Sequence, residues 1–170
     1  MKILNIAVRM ITLVIAIILV TSGCSKHKPQ VLIEPNTGVD KVQKGMDKQQ
    51  VEAAIGKPEQ KKGMWWFYPH RGMIVAFGDN GVMFNIKCVS PFAGVTKEGI
   101  GIGSTRAELL ATYGNPSEEK HGQGAGSGAV VPASAGSVSG GTFDDLWFAS
   151  LGINFDLQND KVTSFIVHFN

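Results

Sequence analysis

Charge is scarce in this chain of 170 residues: 18% are Asp, Glu, Lys or Arg, and the formal net charge is +2. That balance leaves no electrostatic footprint for a nucleic-acid partner. Cysteine is scarcer still, with Cys24 and Cys88 alone, which excludes a disulfide-stapled scaffold. The N-terminal apolar run, Met10 to Val20, has 11 residues, short of the roughly 20 that a spanning helix needs. Metal and nucleophile spacings are missing too. His27, His70, His121 and His168 stand at no zinc-ligand interval, and no Ser, Cys or Thr sits in a recognisable elbow. Asp144 and Asp145 are adjacent on a strand pattern, so they point to opposite faces and make a poor acid–base dyad. The expectation is a non-enzyme with no cofactor and no metal. Apolar residues at 44% exclude a disordered polyelectrolyte and favour one domain or a tight pair of small ones.

What is present begins with an address. Lys2 and Arg9 are the only charges before Lys26, and they flank the apolar run as in a secretory signal. The run leads into Thr21-Ser22-Gly23-Cys24. An ordinary signal peptide or an uncleaved N-terminal anchor would fit the run alone. Ser22, Gly23 and Cys24, however, resemble the lipobox of bacterial lipoproteins. That resemblance implies a signal peptide over 1–23, and cleavage before Cys24. It also implies diacylglycerol on the thiol and an acyl chain such as palmitate on the new amine, which together anchor stably. Ser25, rather than Asp, implies by the same resemblance the outer membrane, facing the periplasm. Residues 24–39, with Lys26, Lys28, Pro29 and Pro35, read as a polar tether.

The rest of the chain reads as a duplication. Gly45 to Pro58 aligns with Gly103 to Pro116 at a constant offset of 58. Asp47 with Gln50, and Thr105 with Glu108, form two capping boxes. Val51/Ile55 and Leu109/Tyr113 sit one helical turn apart, and Gly56-x-Pro58 and Gly114-x-Pro116 end each helix. Helices this short need an apolar floor. Trp65–Tyr68, Met73–Phe77 and Val82–Val89 supply strand patterns after the first helix. Leu146–Phe148, Ile153–Leu157 and Val162–Phe169 do so after the second. Val82, Phe84, Ile86 and Cys88 alternate onto one face, with Cys88 a buried small hydrophobe. Trp66 and Trp147 align as core residues. Matching the last strands requires an offset of 81, which predicts a one-residue bulge or turn difference. Residues 120–142, rich in Gly, Ser and Ala, read as a disordered insertion.

The fold class expected is therefore α+β: two tandem repeats at 40–92 and 93–170. Each is a short capped helix, or a helix-loop-helix, on one face of an antiparallel sheet of about three to four strands. This pattern of capped helix, Gly-x-Pro and aromatic alternating strands resembles the BamE/SmpA/OmlA-type small envelope lipoproteins and the tandem-repeat β-lactamase inhibitory protein. That resemblance implies a non-catalytic module that binds or assembles an envelope protein partner. A lipid-anchored enzyme inhibitor, or an envelope enzyme or sensor domain, are the alternatives. Trp65, Phe67, Tyr68 and Arg71 are the candidate binding residues, because exposed aromatics and Arg are the usual anchors of interfaces. Charge divides by half: residues 24–97 hold 11 basic and 6 acidic side chains, and 98–170 hold 3 and 8.

Overall fold

The computed structural model describes residues 30–123 and 142–169. The signal segment, Cys24 and the middle of the Gly-rich insertion lie outside the described residues.

Local chemistry sets the helices. Asp47 accepts from the Gln50 N–H at 2.9 Å, while the Gln50 side chain accepts from the Asp47 N–H at 2.9 Å. Thr105 and Glu108 repeat the box. Helix α1 (Lys48–Ile55) ends at Gly56 with φ +91°, and α2 (Arg106–Tyr113) at Gly114 with φ +78°. Only glycine takes these angles without strain. α1 buries Val51 and Ile55, and α2 buries Leu109.

Strands dominate the rest. Three short ones, β1 (Val31–Glu34), β2 (Gly38–Val39) and β3 (Val42–Gln43), precede α1. Then come β4 (Gln60–Lys62), β5 (Trp65–Tyr68), a 3-10 turn (Pro69–Arg71), β6 (Met73–Phe77), β7 (Met83–Val89) and β8 (Val95–Thr96). After α2 follow β9 (Glu118–Gln123), β10 (Thr142–Phe148), β11 (Ile153–Gln158) and β12 (Lys161–His168). Eight strands form one sheet in the order β4-β5-β6-β7-β12-β11-β10-β9. A second sheet has the order β3-β2-β1-β8, with β1 and β8 parallel.

This corrects the expected fold class. Among the described residues the fold is mostly β, 48% strand against 16% helix, and not two helix-on-sheet repeats. The physical reason is the β7–β12 ladder, in which Ile86 pairs with Val167 and Cys88 with Phe165. It fuses both sets of strands into one continuous sheet with one core. The helices, eight residues each, are too short to cover that sheet. The four-stranded sheet covers the remainder. α1 packs against β3, and Thr96 of β8 hydrogen-bonds Tyr113 of α2 at 2.7 Å. One layer thus runs α1, small sheet, α2. Residues 31–39, expected as tether, are β1 and β2 of that layer, with Ile33 and Val39 buried in the common core. Lys120–Gln123 and Thr142, expected as insertion, pair as the ends of β9 and β10. Gly122 is fixed there by packing: a Cβ would lie 2.1 Å from the Phe143 ring across the ladder.

The register differs from the expected one at two places. Phe77 pairs with Met83 and Ala76 with Asn85, so Phe84 is the extra residue of a bulge and turns out of the core, 37% exposed. Met83, not Phe84, fills the inward position. Leu157 pairs with Val162 and Asp156 with Ser164, which puts Thr163 at the matching bulge. Both hairpins are bulged, and the first has the longer turn, so Met83, Ile86 and Cys88 match Val162, Phe165 and Val167 at an offset of 79, not 81. Trp66 opposes Val75, and it is Leu146 that opposes Phe155. Trp66 and Leu146 are core residues, whereas Trp147 faces the other side.

Candidate functional site

The face of the large sheet away from the helices and small sheet carries an unusual mixture. One row crosses all eight strands by register: Glu118, Trp147, Asn154, Ile166, Lys87, Ile74, Phe67 and Gln60. A flanking row runs Lys62, Trp65, Ala76, Asn85 and His168. Phe67, Ile74 and Ala76 are buried yet stand outside the main core cluster. Trp65, Trp147, Ile166 and His168 are half-buried, and Phe84 projects beside them.

Polar groups sit in the middle of this face. Lys87 Nζ lies 2.9 Å from Asp156 Oδ2, with the Lys87 side chain only 8% exposed. Ser164 Oγ donates to the same carboxylate oxygen. The Oδ1 atoms of Asn85 and Asn154 are buried without a partner. Such an atom costs about 1–3 kcal/mol against a hydrated one. His168 stacks edge-on against Trp147 at 5.2 Å, and burial holds its imidazole below the ordinary 6.5. The face thus combines aromatic edges with a polar centre that is only partly satisfied.

The four residues expected to bind a partner are dispersed by the fold. Trp65 and Phe67 share the far face, Trp65 half-buried and Phe67 5% exposed. Tyr68 points the opposite way into the core, 1% exposed, and its hydroxyl has no partner. Burial, followed by the charges of Glu52 and Glu59, pushes its phenol up to about 12. Arg71 lies exposed on the 3-10 turn at the end of the sheet, 3.4 Å from Asp40. Sequence reasoning missed Phe84, Trp147, Asn85, Asn154 and Lys87. Phe84 is revealed only by the bulge. Trp147 needed a register one residue earlier, for which the buried Leu146 beside it was the available signal.

A second cluster lies at the sheet edge on the helix side. His121 and Asp144 oppose each other across β9–β10, with Nδ1 2.6 Å from Oδ1, and Glu119 Oε1 is 3.6 Å from His121 Nε2. These three offer a cation donor set within 4.8 Å of one another. Arg106 of α2 already engages it, hydrogen-bonding Glu119 and standing 3.9 Å from Asp144. A guanidinium on both carboxylates makes this an ion-pair clasp between α2 and the edge hairpin. The sequence hid it because its members come from three elements, with 13 residues between Arg106 and Glu119 and 23 between His121 and Asp144. Cys88 is fully buried, and burial pushes its thiol well above the ordinary range, so it is an inert core group. Open clefts flank both helices; in the first, Lys61 Nζ sits 4.0 Å over the Trp66 ring. No described helix is long and apolar enough to cross a membrane.

No protein-family model matches the chain, and no curated protein matches it. Among solved structures, a DUF4309 family protein (YjgB) from Bacillus subtilis is similar over 73% of this chain and 78% of that one, at 12% identity and a TM-score of 0.45.

Proposed function

We propose that this chain is a lipid-anchored envelope protein, moored through Cys24 at the outer membrane. In this reading it is a non-catalytic module that captures another envelope protein on the sheet face away from its helices. The observation that carries the binding role is the polar centre of that face. Lys87, Asp156 and Ser164 form a tight network there, next to two unpartnered amide oxygens and within a frame of Trp65, Phe84, Trp147 and Ile166. A partner supplying hydrogen-bond donors would satisfy the amides and cover the aromatics together. The lipobox-like Ser22-Gly23-Cys24 supports the anchor.

The two halves are tested separately. For the anchor, mass spectrometry of the N-terminal peptide from membrane extracts is expected to show Cys24 carrying acyl chains; an unmodified thiol contradicts it. For binding, affinity capture from native membranes is compared between the wild-type chain and Trp147→Ala or Phe84→Ala. The variants are expected to lose the same partner band while keeping the wild-type melting profile. Undiminished capture by both variants would place the binding surface elsewhere.

A further inference from the structure

The place where the chain enters its fold carries more basic than acidic side chains: Lys41, Arg71 and His70 stand there with Asp40. The Gln30 carbonyl accepts from the Val95 N–H at 3.1 Å, and the Asp40 N–H donates to Leu32 O at 2.6 Å. The start of β1 therefore lies beside the turn that carries Asp40 and Lys41. Arg71 reaches the same turn, 3.4 Å from Asp40, and its neighbour His70 is exposed on the 3-10 turn. Lys41 is exposed with no ion pair among the described residues. The β11–β12 turn at that end of the sheet holds Asp160 next to Lys161, which adds no net charge. Cys24 precedes Gln30 by six residues, among them Lys26 and Lys28. Six extended residues reach at most about 21 Å. A bilayer holding Cys24 would therefore keep this end of the molecule within reach of direct contact, which charge attraction requires because it is screened beyond about 8 Å.

We propose that the end of the molecule at which β1 begins, bearing Lys41, His70 and Arg71, rests on the phosphate headgroups of an anionic bilayer. The proposal depends on the anchor reading for its bilayer and goes beyond it, because an acylated cysteine alone fixes no orientation. Each basic residue held near an anionic surface shifts the docked population about fivefold. Docking this end down turns the chain axis of β1 away from the bilayer and leaves the far sheet face open sideways to a partner.

The test uses the acylated full chain on vesicles of phosphatidylcholine alone, and on vesicles with one third phosphatidylglycerol. Amide hydrogen exchange is read at residues 40–41 and 70–72. The anionic vesicles are expected to slow exchange there at least about fivefold, with salt reversing the effect. Lys41→Glu with His70→Glu is expected to abolish the difference while amides of α2 are unchanged. Equal exchange on both vesicles overturns the proposal, as does protection at α2 instead. Protection by inorganic phosphate alone also overturns it, because that marks a small-anion site. A chain that floats with neither vesicle refutes the anchor. The docking claim is then scored by adding the Cys24→Ser chain to the same vesicles at low salt. Salt-sensitive flotation with the anionic ones alone supports it, and no flotation overturns it.

Discussion

Tyr68 shows how one residue changes role when the fold is known. As part of four consecutive aromatics it reads as an interface anchor, yet its ring is core and its hydroxyl is buried without a partner. Tyr68→Phe removes that polar atom and keeps the ring, so it is expected to leave stability equal or raise it by up to about 1–3 kcal/mol. Tyr68→Ala is expected to cost about 3–5 kcal/mol. Urea denaturation checks both, and a marked loss with Phe would mean that the hydroxyl is hydrogen-bonded. Lys87 and Asp156 form a pair of the opposite kind, joined at 2.9 Å with the Lys87 side chain 8% exposed. Breaking it from one side by Lys87→Met leaves the half-buried carboxylate with the Ser164 hydroxyl as its remaining partner, at a cost of about 1–3 kcal/mol. Lys87→Met with Asp156→Asn is expected to recover most of that loss. If the double variant is as unstable as the single one, the pair is not what stabilises this face. His168 has its imidazole held down by burial. The unfolded chain therefore binds a proton at higher pH than the native one. Stability that is complete above about 6.5 declines as pH falls through the folded value. His168→Phe is expected to remove that component from the pH profile of the melting temperature.

Elements whose formation is decided by neighbours in the chain were legible from residues alone. Asp47/Gln50, Thr105/Glu108, Gly56 and Gly114 locate both helices because caps are local hydrogen bonds. β11 shows as Ile153/Phe155/Leu157 because it buries one alternate face, and β6 shows as an unbroken apolar run, Met73–Phe77, because it is buried on both. The small sheet was illegible. β2 and β3 have two residues each, and β1 pairs in parallel with β8 across more than 60 residues of chain, so no local period records it. The bulges are legible only as an offset, and its sign reverses in the structure because Phe84, inward by simple alternation, is the bulged residue that turns outward. That single slip also hid the most exposed aromatic of the candidate site. The caps make their own prediction. Asp47→Ala is expected to cost about 1 kcal/mol, seen as a lower denaturation midpoint. The Thr105 backbone N–H and hydroxyl hold the Glu108 carboxyl below its ordinary 4.5. Its contribution is present above that value and is lost as pH falls through the folded one. Glu108→Gln is expected to flatten this acid limb; an unchanged limb would show that the box does not persist in solution.

At the scale of the whole molecule, a fused sheet separates two tasks. One face takes α1, the small sheet and α2 and holds the core together, with Phe155 meeting both Phe148 of β10 and Phe165 of β12. The other face buries Phe67, Ile74 and Ala76 but also carries an exposed Phe84, a half-buried Trp147 and amide oxygens without donors. Native structures seldom leave buried polar groups of this kind without a partner. Because β7 and β12 join the halves, the face spans eight strands and offers the breadth of a standard protein interface. The central claim is that this face is where a partner sits. The most direct measurement is site-specific photo-crosslinking in native membranes. A benzophenone side chain is placed at Trp147 or Phe84 on the far face, and at Ala107 or Ala111 on the exposed side of α2. The account predicts one discrete adduct from Trp147 and Phe84 and none from the helix positions. Adducts from α2 with none from the sheet face would contradict it.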